Sequence, residues 1–308
     1  MSRPFRIGTR GSPLALTQAN LARGLLAAAH GEPATAFEIV PIRTTGDRVQ
    51  DRPLAEIGGK ALWTKELDRA LIEGEIDCAV HSMKDVETIR PSAIVIAAML
   101  ERADVRERLV GAPSIEALPE GAAIGTSSPR RAAQMRRLRP DLRIVPLRGN
   151  VDTRLSRLLT GEADATLLAA AGLERLGRHD VGFAVPIETM LPAPSQGAIG
   201  IEVRANDADT HAMIAAINHA DTRACVEAER ALLAELQADC HSPVAANARI
   251  DGGVLTLSAQ LLSEDGAEHV TGRLSGADGP KLAAALAKDL LERAPAAVCA
   301  RFGRCDAG

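Results

Sequence analysis

A lysine and an aspartate stand side by side, as Lys84-Asp85, at the close of the stretch Cys78-Ala79-Val80-His81-Ser82-Met83. Apolar and small residues lead into the pair and polar ones follow, the pattern of a buried strand reaching its carboxyl end. Ligands of α/β sheets gather beyond such ends, so Asp85 is a candidate for proton transfer or charge stabilisation. A surface ion pair, which contributes little to stability, would look the same in sequence.

A second group of reactive side chains lies further on. Between Arg130 and Arg157 there are nine arginines and two acids, Asp141 and Asp152. Thr126, Ser127 and Ser128 precede Arg130 and Arg131, which sets hydroxyls and guanidinium groups at an expected helix start. Arg148 ends a strand-like segment, Arg154 opens the next helical pattern, and Arg10 sits in an earlier turn of similar type. Arginine's planar fork matches carboxylates in two-pronged fashion, at about 1.5–3 kcal/mol for each charge-assisted bond. So many like charges in one site repel unless an anion joins them, so the expected guest is a polycarboxylate or polyphosphate. Arg136, Arg137 and Arg139 read instead as a solvated helix face.

The elements that must position these groups repeat along the chain. Ile7-Gly8-Thr9-Arg10-Gly11-Ser12-Pro13 returns as Ile124-Gly125-Thr126-Ser127-Ser128-Pro129, each before a helical pattern. Residues 66–77 and 153–164 also match, both as an amphipathic helix closed by glycine and followed by a strand opened by aspartate. The order is kept, so two related α/β domains with mainly parallel sheets are expected. Serine, threonine and backbone N–H groups at a helix start favour anions. The remainder reads as a small α+β domain, with a helix from Asp221 to about Ala238, a hairpin around Asp251-Gly252-Gly253, and a helix over Lys281–Arg293. Cys240 falls in the loop Asp239-Cys240-His241-Ser242-Pro243. The fold class is therefore α/β, with two related periplasmic-binding-protein-like domains around a cleft and a C-terminal α+β domain. The boundaries expected are 1–99 with 195–219, then 100–194, then 220–308. Thr45–Lys60 reads as a long polar loop, and its Gly59-Lys60 lacks the remainder of a P-loop.

Composition narrows the function. The chain has 308 residues, of which 46% are hydrophobic and 25% charged, a globular balance too long for one core. A net charge of −4, with four phenylalanines, one tryptophan and no tyrosine, argues against nucleic acid as a partner. The apolar runs are too short for a membrane span and the N-terminus lacks a signal-peptide core, so a cytoplasmic location is expected. Five cysteines (Cys78, Cys225, Cys240, Cys299, Cys305) without a CxxC pair, and scattered histidines, argue against a disulfide framework or a metal site.

Taken together, HSMKD, IGTSSPRRAAQ, LRGNVDTRL, LAAAGLERLG and Cys240-x-x-Pro243 resemble the porphobilinogen deaminases, or hydroxymethylbilane synthases, in order along nearly the whole chain. The resemblance implies a transferase that joins four porphobilinogen molecules head to tail with release of ammonia. It implies a dipyrromethane cofactor tethered through a thioether to Cys240. It makes Asp85 the catalytic carboxylate. Lys84, Ser128, Arg130, Arg131 and Arg154, with Thr126 and Ser127, would hold cofactor carboxylates, and Arg10, Ser12, Arg148 and Arg175 the substrate or growing chain. Porphobilinogen is the expected partner, with no nucleic acid or membrane, and the chain is expected to act as a monomer. Three positions depart from the family pattern: Ala238-Asp239 where Gly-Gly precedes the cysteine, Trp63 for phenylalanine, and Ser195 for the glycine before Gln196. A non-catalytic polycarboxylate-binding or sensor protein is the rival from another class; it predicts reversible ligand and no role for Cys240.

Overall fold

The structure, a computed structural model, describes residues 3–44 and 64–302. The Thr45–Lys60 loop, Trp63 and Cys305 lie outside the described residues. The chain forms two compact units, Met1–Arg102 with Gly197–Arg223, and Ala103–Gln196 with Ala224–Gly308.

The first unit is a five-stranded sheet of β1 (Phe5–Arg10), β2 (Phe37–Ile42), β3 (Cys78–Ser82), β4 (Ile94–Met99) and β10 (Ile199–Arg204), ordered β2-β1-β3-β10-β4. β1 pairs in parallel with β2 and β3, whereas β10 runs antiparallel to β3 and β4. Ile7, Leu26, Phe37, Ile199 and Ile201 pack its core. The second unit holds β5 (Glu107–Val110), β6 (Ala123–Gly125), β7 (Arg143–Val145), β8 (Ala165–Ala169) and β9 (Phe183–Val185), in the order β7-β6-β8-β5-β9. Again the first three are parallel, and β5 is antiparallel to β8 and β9. Each sheet is thus more mixed than helix–strand alternation suggests. The reversed strand in each, β10 or β5, is the first one after the chain passes from one unit to the other.

The repeated motifs occupy equivalent places for a shared reason. A Cβ on Gly8 would lie 2.3 Å from Ile76 Cδ1, and one on Gly125 would lie 2.6 Å from Leu147 Cδ2. Only glycine lets those neighbours pack against the turn. Ser12 caps the Pro13–His30 helix by accepting from Ala15 N at 3.3 Å. Ser128 caps the Pro129–Leu138 helix by accepting from Arg131 N at 3.4 Å. Proline at the first helical position, where no N–H is needed, sharpens both starts.

The second unit also carries the α+β segment. The Ala220–Glu235 helix, most of which falls in this unit, is followed by the antiparallel sheet β11 (Val244–Asp251), β12 (Val254–Leu262) and β13 (His269–Gly276), and then the Gly279–Arg293 helix. Gly252 and Gly253 take φ of 56° and 79°, the left-handed pair that a two-residue hairpin turn requires. Leu232, Leu257, Leu261, Leu286 and Leu290 form this segment's own core. No helix among the described residues is long and apolar enough to cross a membrane. Cys299 is disulfide-bonded, which the odd, scattered cysteines did not suggest.

The aspartate just before β3 has a counterpart just before β8. Arg6 N donates to Asp77 Oδ2 at 2.8 Å, and Ala123 N donates to Asp164 Oδ2 at 2.6 Å. Burial pushes the Asp77 carboxyl up, but hydrogen bonds from Arg3 and Arg6 prevail and bring it down to about 2. A folded value below the unfolded one stabilises the fold above the ordinary aspartate range, and that stability is lost as pH falls toward 2. Asp77→Asn should therefore cost on the order of 1–2 kcal/mol at pH 7. In urea unfolding, the gap from wild type should close between about pH 4 and 2.

Candidate functional site

β3 ends at Ser82, and the chain turns immediately through the short 3₁₀ segment Met83–Asp85. Met83 anchors that turn. Its side chain is buried, its N–H donates to Ala198 O at 3.0 Å, and its sulfur lies 2.0 Å from where a Cβ on Gly200 would sit. Gly200 on β10 thereby makes room for the residue that fixes Asp85's approach. Asp85 is exposed and Lys84 half-buried. Asp85 shares a cavity with Arg10, Ser12, Gln18, His81 and Ser82, all of the first unit. Gln18 Nε2 donates to Ser82 Oγ at 2.8 Å across its floor. Arg10 and Ser12, expected to act together, thus join Asp85 in one concavity.

The remaining expected residues belong to the second unit. Thr126 is buried and its hydroxyl accepts from Ser128 N at 3.2 Å, while the exposed Ser127 donates to Leu147 O at 3.3 Å. Gly149 takes φ of 113° between Arg148 and Asn150, and Asn150 caps the Val151–Leu159 helix by accepting from Thr153 N at 2.9 Å. Arg154 Nε donates to Gly149 O at 3.0 Å, tying that side chain to the turn that follows Arg148. Arg175 ends the Ala170–Arg175 helix.

Arg130 and Arg131 are not an open cradle. They are 4% and 6% exposed, and both donate to Glu107 on β5, a side chain with no exposure. Arg130 Nη2 reaches Glu107 Oε1 at 2.6 Å, and Arg131 Nη2 reaches Oε2 at 2.7 Å. Arg130 also donates to Gln134 Oε1 at 2.8 Å and Leu191 O at 3.1 Å. Sequence reasoning missed Glu107, although one signal was present: it shares a strand face with the buried Leu109, an unusual place for an acid. Two guanidinium groups against one carboxylate leave a buried positive excess. Burial, together with Arg131, lowers the Arg130 pKa against the pull of Glu107. Burial likewise lowers Arg148 and takes Arg175 down to about 10.

Cys240 is exposed, whereas Cys78 and Cys225 are buried. It sits in a tight turn in which Asp239 Oδ1 accepts from His241 N at 2.9 Å and Ser242 Oγ accepts from Asp239 N at 3.1 Å. Asp239, the departure from glycine, therefore has a structural use, since its side chain closes the turn that presents the thiol. Ser195, the other described departure, has φ of 65°, the left-handed region that favours glycine. Glu229 Oε2 holds it there by accepting from Ser195 N at 2.5 Å.

Fold and site define a duplicated α/β protein with anion-favouring helix starts, a buried cationic group and an exposed loop cysteine on an added α+β segment. Residues 5–212 match the family model "Porphobilinogen deaminase, dipyromethane cofactor binding domain", and residues 223–295 match "Porphobilinogen deaminase, C-terminal domain". A porphobilinogen deaminase of Sphingopyxis alaskensis is 61% identical over 301 residues, covering 96% of this chain and 95% of that protein. One from Paracoccus denitrificans is 52% identical over 298 residues, covering 95% of each. An ancestral cationic amino acid solute-binding protein matches 70% of this chain and 87% of its own at 16% identity and a TM-score of 0.42, a likeness too weak to carry functional weight. The chain belongs to the porphobilinogen deaminase family, and its activity is that of a transferase of tetrapyrrole biosynthesis, hydroxymethylbilane synthase.

The family's dipyrromethane carries several carboxylates, and the second unit's donor set fits such a group. Arg130 and Arg131 are buried against one shared carboxylate among the described residues, and burial disfavours the charge of Arg148 and Arg175, so added carboxylates would suit this set. Glu107→Gln removes the carboxylate that Arg130 and Arg131 share and should destabilise the fold by about 3–5 kcal/mol. Denaturant unfolding read by circular dichroism measures that loss.

Proposed function

We propose that Asp85 is the carboxylate that serves the reacting pyrrole, and that Cys240 carries the dipyrromethane through a thioether. Lys84, Ser128, Arg130, Arg131 and Arg154, with Thr126 and Ser127, bind its carboxylates. Arg10, Ser12, Arg148 and Arg175 bind porphobilinogen or the growing chain. The observation that best supports this reading is the cavity that groups Asp85 with Arg10 and Ser12, an acid beside an anion-favouring turn.

When bound, the dipyrromethane supplies the pyrrole end to which new units are added. The chain's own residues then have three tasks. Loss of ammonia from porphobilinogen leaves a cationic azafulvenium, and the Asp85 carboxylate offsets that charge and accepts from the pyrrole N–H. The same carboxylate can take the proton released when the new carbon–carbon bond forms and the ring regains aromaticity. Arginine and serine groups hold the acetate and propionate arms, fixing the reacting carbons in place. Cys240 suits the tether because its thiol is exposed, whereas burial pushes the Cys78 thiol up, away from the reactive thiolate.

On this reading the functional divisions are 1–99 with 195–219, 100–194 and 220–308. The chain acts in the cytoplasm as a monomer on porphobilinogen, without nucleic acid or membrane. Asp85→Asn is expected to fold and keep its cofactor, by circular dichroism and intact mass. Its hydroxymethylbilane production should fall roughly 100-fold or more. Near-normal turnover by that variant would remove Asp85 from the chemistry.

A further inference from the structure

Two buried amide side chains join the Pro129–Leu138 helix to the C-terminal α+β segment, and neither belongs to the site residues named above. They are Gln134 on the helix and Gln260 on β12, both within the second unit. Gln134 Oε1 accepts from Arg130 Nη1 at 2.8 Å, and its Nε2 donates to Leu191 O and to Gln260 Oε1, each at 3.1 Å. The direction of each bond is dictated. A guanidinium only donates, so Oε1 must face Arg130, which leaves Nε2 for the two acceptors. Leu191 O also accepts from Arg130 Nη1 at 3.1 Å. Removing one amide from such a closed, buried network strands the polar atoms of the others.

Beyond Gln260 the same contacts reach the cysteine loop. Gln260 pairs across the sheet with Ala245 of β11. Leu262, two residues on, donates from its N–H to Pro243 O at 3.2 Å, and Ala246 N donates to Pro192 O, next to Leu191, at 3.1 Å. Two routes thus lead from Arg130 to the first residues of β11, one through Gln134 and Gln260, the other through Leu191 and Pro192. β11 begins four residues after Cys240. The loop after β12 packs on the same helix, since a Cβ on Gly266 would lie 2.2 Å from Ala133 O and Arg136 Nη1 donates to Glu264 O at 3.1 Å. The strand that follows the cysteine loop is therefore fixed to the helix that carries Arg130.

We propose that Gln134 and Gln260 are positioning residues for cofactor assembly, holding the strand behind the Cys240 loop in register with Arg130. The proposal rests on Cys240 as the tether and Arg130 as a ligand of cofactor carboxylates. In the attachment step the sulfur gives an electron pair to the aminomethyl carbon of porphobilinogen. A carbon–sulfur bond forms, the carbon–nitrogen bond breaks, and the thiol proton leaves with the ammonia. Carboxylates gripped by an arginine that is fixed relative to the thiol hold that carbon near the sulfur, which raises the rate of attachment.

Loading of the full-length apo chain with porphobilinogen, followed by intact mass, tests the proposal. Gln260→Met should stay folded by circular dichroism and form the Cys240 adduct about tenfold more slowly than wild type. Iodoacetamide should alkylate Cys240 in both apo chains at rates within about twofold, because the thiol stays exposed and only its placement changes. Gln260→Glu still accepts from Gln134 Nε2 and should load within about threefold of wild type. Gln134→Met should load at least as slowly as Gln260→Met, and the double variant no more slowly than Gln134→Met, since the two amides act as one unit. Wild-type loading by Gln260→Met, an altered alkylation rate, slow loading by Gln260→Glu, or effects that multiply in the double variant would each overturn the proposal. If Gln260→Met does not fold, Gln260→Asn, one methylene short of Gln134, takes its place under the same outcomes. A wild-type chain that gains no adduct on Cys240 removes the tether assignment and this proposal with it. Ordinary loading by both wild type and Gln260→Met removes the proposal alone.

Discussion

A buried carboxylate on the antiparallel strand of each five-stranded sheet organises the cationic side chains around it. Glu107 on β5 takes two guanidinium groups, Arg130 and Arg131, and Glu202 on β10 takes Arg90 and faces His81. An ionised carboxylate inside a protein is stable only when its charge and hydrogen-bonding capacity are met. Each acid therefore fixes the rotamers of its partners, and Arg130 and Arg131 follow the carboxyl end of β6, on the side where ligands of such sheets gather. The two clusters differ in composition. Around Glu107 there is more positive charge than negative, which suits a carboxylate-rich ligand. Around Glu202, Arg90 also donates to Asp68 and Glu87, so that acid belongs to a shared network of carboxylates.

Much of the fold was legible because its motifs are short-range. The Gly-Thr turns and the Ser-Pro caps act within a few residues, and each copy reports on the other. Asp85 could be read because β3 stops within three residues of it. Cys240 could be read as the cysteine in a loop outside both helix and strand patterns. The two buried acids were harder. Each is a single charge in an otherwise apolar strand, a visible anomaly, but its partner lies far along the chain. Arg130 is 23 residues from Glu107, and Arg90 is 112 from Glu202. No local pattern names a partner at that distance. Nor does helix–strand alternation reveal which strand is reversed, since that depends on where the chain passes between units. β13 escaped because its residues are mostly exposed and show little alternation.

The departures from the family pattern are explained by local geometry. Asp239 replaces a glycine yet closes the cysteine turn with its own carboxylate. Ser195 occupies a left-handed conformation that costs a serine about 1 kcal/mol, and a buried glutamate accepts its N–H in return. Both substitutions keep the backbone path that the family's glycines provide, one through a side-chain hydrogen bond and one through strain held by a neighbour.

The central claim is that this chain builds its product on a primer held covalently by Cys240. Intact-protein mass spectrometry with peptide mapping tests that claim most directly. The wild-type chain should be heavier than its sequence by two deaminated porphobilinogen units. The adduct should map to Cys240, survive denaturation and thiol reductants, and be missing from Cys240→Ser. An active wild-type protein at its bare sequence mass, or an adduct mapped to any other cysteine, would contradict the account.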